Sequence, residues 1–153
     1  MHAELPSKMA APTIVLIIAS VASYCGSLAM EAVDGQYGFV CLLFGWISVL
    51  SLTNLSWLAN FMLWIAAYYT IAARRGAGMF WSCSTALLMA SNLIVKRYAT
   101  WDSGDGLGYS TIRSFGPGFW LWLAAPMLLI IAHVWESRRR APPQGSQRHR
   151  ATP

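Results

Sequence analysis

The chain has 153 residues, 56% of them hydrophobic and only 11% charged, and it carries eight Trp. Such a composition suits one small multi-pass membrane bundle and excludes the charged surface of an ordinary soluble domain. The net charge of +5 does not point to nucleic acid, because Arg138, Arg139, Arg140, Arg148 and Arg150 carry the whole excess and the other Lys and Arg balance the acids.

The first apolar segment, Pro12 to Met30, reads as a retained span or as a signal peptide. Cleavage after Ser23 would satisfy a small-x-small rule through Val21 and Ser23. The preceding segment, however, offers only Lys8 against Glu4, and apolar character continues to Met30, which favours a retained span.

From Gly35 to Ala73 there is no Lys, Arg, Asp, Glu or His. As one helix this run would be about 58 Å long at roughly 1.5 Å per residue, against a hydrocarbon core of about 30 Å, so it bends or breaks. Two complete spans with a turn would want about 44 residues at roughly 20 per span, more than the run supplies. Gly38, Gly45 and the break at Ser51-Leu52-Thr53-Asn54 suit a short helix over Tyr37 to Thr53, folded against its neighbours, followed by a span from Leu55 to Ala73. The alternative is that Tyr37 to Thr53 also spans.

Gly78 to Val95 and Gly118 to Trp135 are two further spans. Only Gly76 and Ala77 separate Arg74-Arg75 from the third of these segments, so the flanking helices form a tight antiparallel hairpin with the arginines at its cytoplasmic turn. Lys96 to Pro117 is then an outer loop. The predicted fold is an all-α integral membrane bundle over residues 1–137, with four transmembrane helices and one short re-entrant or interfacial helix, or alternatively five transmembrane helices. Residues 138–153 read as a disordered basic tail that holds the C-terminus in the cytoplasm and meets anionic headgroups. The four-span arrangement puts both termini on that side.

Cys25, Cys41 and Cys83 lie in separate apolar segments without metal-ligand spacing, so they read as small buried hydrophobes. His133 is the one ionisable residue inside an apolar run, which makes it a functional candidate by default. Its place beside Trp135 and Glu136 favours interfacial anchoring over proton or ligand handling. Asn60 and Asn92 suit hydrogen bonds between helices, and Ser82, Ala86 and Ala90 repeat every four residues as a helix-packing face. In the outer loop, Asp102 and Asp105 lack the spacing and closing Glu of a calcium loop. The loop reads as flexible, and Tyr98, Trp101 and Tyr109 give it large rings suited to a partner surface. Neither a catalytic constellation nor a metal or cofactor motif is legible.

Three segments, Phe44-Gly45-Trp46, Trp57-Leu58-Ala59-Asn60 and Gly116-Pro117-Gly118-Phe119-Trp120-Leu121-Trp122-Leu123-Ala124, give the chain a pattern that resembles a group of small bacterial multi-pass membrane proteins. The resemblance implies a bacterial inner-membrane location and carries no activity. The expected function is non-enzymatic binding of another membrane protein within the lipid bilayer, as an accessory subunit or as an immunity protein against a membrane-acting toxin. The alternative is a small channel or transporter formed by a homo-oligomer.

Overall fold

The computed structural model describes residues 9–102 and 106–140, and the side chains of 100–107 and 140 are outside that description. Glu4, Lys8 and the basic tail beyond Arg140 therefore lie outside the described residues. The described chain is mostly helical. In order it forms α1 (Ala11–Ala29), β1 (Glu31–Val33), β2 (Gln36–Tyr37), α2 (Gly38–Phe44), α3 (Trp46–Leu50), α4 (Ala59–Ile71), α5 (Arg75–Ala90), β3 (Arg97–Asp102), β4 (Gly106–Thr111) and α6 (Pro117–Arg140). One turn of 3-10 helix, Ser56–Leu58, leads into α4, and another, Ser91–Leu93, continues α5.

Helices α1 and α6 pack antiparallel along their length. Thr13 near the start of α1 donates to Glu136 near the end of α6 at 3.0 Å, and Ser20 donates to the Ala125 carbonyl at 2.8 Å. At the other end a Cβ on Gly118 would stand 2.8 Å from the Met30 carbonyl, so the missing side chain is what lets the start of α6 sit against the end of α1. α5 packs against both α4 and α6. The sharp return between α4 and α5 occupies 72–74, where Ala73 has φ of 56°, and puts Arg74 and Arg75 at the turn.

On α1 and α4 the buried faces are rich in small and polar residues and the large apolar side chains are exposed. Buried positions on α1 are Thr13, Ser20 and Ser27, seven residues apart, whereas Val15, Ile18 and Val21 are more than half exposed. α4 buries Ala59, Asn60, Leu63, Ala66 and Thr70 while exposing Phe61, Trp64, Tyr68 and Ile71. Water would favour the reverse, because burial of large apolar side chains is its main driving force. A lipid solvent removes that force and leaves small residues and interhelical hydrogen bonds to hold helices together. Two helices, α1 and α6, are long and apolar enough to cross a membrane by length and composition, and 22% and 39% of their most apolar windows are buried. α4 and α5, at 13 and 16 residues, are shorter.

The segment from 38 to 50 is two short helices broken at Gly45. Its return path stays hydrogen-bonded, because the Ser48 carbonyl accepts from the Thr53 and Asn54 N–H groups at 3.0 and 3.2 Å and from the Ser51 and Thr53 hydroxyls.

Two hairpins depart from the all-helical expectation. Asp34 and Gly35, both at positive φ, form the two-residue turn between β1 and β2, the Asp-Gly signal of a tight hairpin. The stretch expected to be a flexible loop is the antiparallel pair β3–β4, in register from Arg97 opposite Thr111 to Asp102 opposite Gly106. Asp34 ties the hairpins together, since its Oδ1 accepts from the Arg113 and Ser114 N–H groups, each at 2.9 Å.

Candidate functional site: a neutral cavity at the hairpin end

At the end of the bundle that carries the hairpins is a cavity of about 400 Å³. Its walls come from the end of α1, the broken pair α2–α3, the start of α4, β3 and the start of α6. Among the described residues no Lys, Arg, Asp, Glu or His lines it. Volumes of 300–1,000 Å³ with apolar walls and a few polar groups are typical of small-molecule sites.

Two hydrogen-bonded groups hold the walls. In the first, Trp57 Nε1 donates to the Leu42 carbonyl at 2.7 Å, Asn60 Nδ2 donates to the Trp57 carbonyl at 2.9 Å, and Trp122 Nε1 donates to Asn60 Oδ1 at 3.0 Å. This chain links α2, α4 and α6. The second group contains Asn54, Ser56 and Asn92. The Ser56 N–H donates to Asn54 Oδ1 at 2.9 Å, which turns the Asn54 amide nitrogen toward Asn92, where it donates to Oδ1 at 2.6 Å. Ser56 Oγ donates to the same Asn92 oxygen at 3.1 Å, and Asn54 Nδ2 also reaches the Arg97 carbonyl at 3.4 Å. Ser48 Oγ accepts from the Ala99 N–H at 3.0 Å and so joins α3 to β3.

Glycines set the close approaches. A Cβ on Gly45 would lie 2.4 Å from Trp57 Cδ1, and one on Gly38 would lie 2.1 Å from the Ser27 carbonyl oxygen. The three aromatic and glycine segments singled out in the sequence thus converge here, through Phe44, Gly45, Trp57, Asn60, Phe119 and Trp122.

Of the residues singled out beforehand, Asn60 and Asn92 are in these two groups. Tyr98 is on the cavity wall and half-buried; burial pushes its phenol above the usual tyrosine range, and the nearby Asp34 carboxylate adds to the shift. Tyr109 pairs with Ala99 and therefore belongs to the opposite face of the hairpin from Tyr98, where it is 61% exposed. The three rings expected to share a partner surface are thus divided. Trp101 pairs with Leu107 in the ladder, and its side chain is outside the described residues.

On α5 the buried stripe is Gly78, Ser82, Thr85 and Met89, continued by Asn92. Ser82 belongs to it; Ala86 and Ala90 are half-buried at its margin. The correction is geometric, because a strict four-residue repeat drifts about 40° per step around a helix of 3.6 residues per turn, whereas alternating steps of four and three follow one side. Cys25 is exposed rather than buried, and Cys41 lines the cavity.

His133 occupies the other end of the bundle. Instead of reaching outward as an anchor it is 6% exposed, with its ring against Gly78 and Nε2 2.9 Å from Thr70 Oγ1. Thr70 donates its own proton to the Ala66 carbonyl at 2.7 Å, so His133 Nε2 is the donor in that pair. Arg75 and Glu136 pair at 3.3 Å nearby, and Thr13 completes a polar clasp of all four long helices.

Sequence reasoning missed Asn54, Ser48 and Ser56. The available signal was the clustering of Ser48, Ser51, Thr53, Asn54 and Ser56 within the uncharged run. Among the described residues no cluster of three potential metal ligands occurs. Comparison with family models, curated proteins and solved structures gives no match for this chain.

Proposed function

We propose that the chain is a non-enzymatic, multi-pass protein of the bacterial inner membrane that acts by binding another membrane protein at its hairpin end, as an accessory subunit or as an immunity protein against a membrane-acting toxin. In this reading α1, α4, α5 and α6 span, α2–α3 is re-entrant, and Arg74, Arg75, Arg138 and Arg139 lie at the cytoplasmic face. The inverted polarity of the helices supports the membrane placement. α1 is read as retained, because cleavage after Ser23 would remove Thr13 and Ser20 and strip the face of α6 that they cover.

The observation that carries the binding role is the assembly of recognition features at one end, namely a pre-formed neutral cavity beside a hairpin that presents Tyr109. Amides and hydroxyls orient a bound group by hydrogen bonding but have no proton to exchange near neutral pH, so the lining supports binding over acid–base chemistry. Transport is less well supported. Leu63, Ala66, Met89, Ala125 and Leu129 form a packed cluster between the cavity and His133, closing the path along the bundle.

A photo-crosslinking side chain at Tyr109, compared in native membranes with one at the 73% exposed Leu87 on α5, tests the role. Tyr109 should capture one discrete membrane protein and Leu87 only lipid. Equal capture at both positions, or none at Tyr109, would remove the hairpin from the binding surface.

A further inference from the structure

The cavity holds an unmet hydrogen-bonding demand of one sign. The Asn54 amide is fixed by the Ser56 N–H, so Asn92 must present its oxygen to Asn54 and Ser56, and its NH₂ group is left on the other side. That NH₂ has no partner among the described residues, although Asn92 is only 6% exposed. Ser48 repeats the pattern. Its oxygen accepts from Ala99, its O–H donates to no described group, and it too is 6% exposed. Both side chains border the cavity, which carries no ionisable Asp, Glu, His, Lys or Arg. An amide NH₂ and a hydroxyl without acceptors at a cavity wall make the site complementary to a neutral oxygen acceptor attached to an apolar body.

The surface beside the cavity narrows the source. Phe44 lines the cavity and is 60% exposed, and Leu43, Trp46, Leu50 and Leu52 beside it are exposed as well. A wall residue set among exposed large apolar side chains faces hydrocarbon under the membrane placement proposed above. An ester carbonyl at the top of an acyl chain has the required chemistry, being neutral, a pure acceptor, and continuous with a long apolar tail.

We infer that the cavity between α2–α3 and the long helices binds the acyl-ester group of a membrane glycerolipid, with the Asn92 amide and the Ser48 hydroxyl donating to its carbonyl oxygen and the chain lying against Phe119 and Trp122. The lipid enters sideways past Phe44. This inference rests on the membrane placement but not on the partner-binding role.

The test is native mass spectrometry of the detergent-purified full chain, before and after delipidation and return to nanodiscs of phosphatidylethanolamine and phosphatidylglycerol. The wild type should retain one diacyl lipid per chain and reacquire it from the discs. Val40→Phe, which fills the cavity, should abolish retention. Asn92→Asp keeps an oxygen for Asn54 and Ser56 but replaces the NH₂, and should lower retention several-fold; circular-dichroism melting checks that both variants remain folded. A bound amphiphile found only in the cell-derived sample would keep the site and reject the bilayer as its source. A wild type that leaves the micelle with nothing bound, or folded variants that retain as much lipid as it does, overturns the site. Recovery of the chain without detergent would instead overturn the membrane placement.

Discussion

Gly45 and Gly76 have the same side chain and opposite surroundings. Gly45 sits in the ordinary right-handed region, at φ −63° and ψ −20°, so its backbone would accept any residue. What forbids a side chain is space, with Trp57 Cδ1 at 2.4 Å and the Cys41 carbonyl at 2.5 Å from an added Cβ. Gly76, in the first turn of α5, has nothing within 4 Å of the same point. Gly45→Ala should therefore displace Trp57, weaken its bond to the Leu42 carbonyl and destabilise the protein by about 1–3 kcal/mol. Gly76→Ala should stabilise it by up to about 1 kcal/mol through helix propensity. Thermal melting in detergent checks both, and a neutral Gly45→Ala would mean that α2–α3 does not pack on Trp57 as closely as described. From sequence, Gly45 was legible as a break in an apolar run; its role as a contact surface was not, because nothing local identifies which distant ring approaches it.

At the scale of elements, the helices were legible, the Asp34-Gly35 turn of β1–β2 carried a sequence signal, and the pairing of β3 with β4 was hidden. Apolar runs ended by Arg74-Arg75 and by the arginines after Trp135 located α4 and α6 to within a few residues, because charge is excluded from lipid whatever the tertiary contacts. The β3–β4 partners lie within one stretch, 97–111, but the Ser48 bond that holds Ala99 comes from a segment 51 residues away, which no local pattern contains. Helix rotation was likewise hidden, since on α5 both a four-residue stripe of small residues and the alternating stripe through Ser82 and Thr85 were available. The two faces separate by mutation. Ser82 is fully buried and its Oγ has no partner, so Ser82→Leu should overpack the α5 interface and destabilise by about 1–3 kcal/mol. Ala86→Leu, at the half-buried margin, should change stability by less than about 1 kcal/mol. Equal losses would return the packing face to Ser82, Ala86 and Ala90.

For the whole molecule, the proposed membrane placement turns on how many helices would cross the bilayer. α4 is about 20 Å long and α5 about 24 Å at roughly 1.5 Å per residue, shorter than the hydrocarbon core of about 30 Å. The 3-10 turns 56–58 and 91–93 extend each toward the hairpin end, and α2–α3 packs beside that end of α4 through the Trp57 bond to Leu42. Under the proposed placement, a re-entrant pair in the outer layer would account for the short α4, whereas a fifth span would have to fit into two helices of 7 and 5 residues. Charge agrees with this arrangement. Arg74, Arg75, Arg138 and Arg139 gather at the His133 end, while Lys96, Arg97 and Arg113 at the hairpin end are accompanied by Glu31, Asp34 and Asp102. Reporter fusions should accordingly find the N-terminus and the C-terminus in the cytoplasm, with alkaline phosphatase active only when inserted at 103–105. An N-terminal fusion active in the periplasm would establish five spans and turn α2–α3 into a crossing. A periplasmic C-terminus would invert the bundle and place the cavity in the inner leaflet.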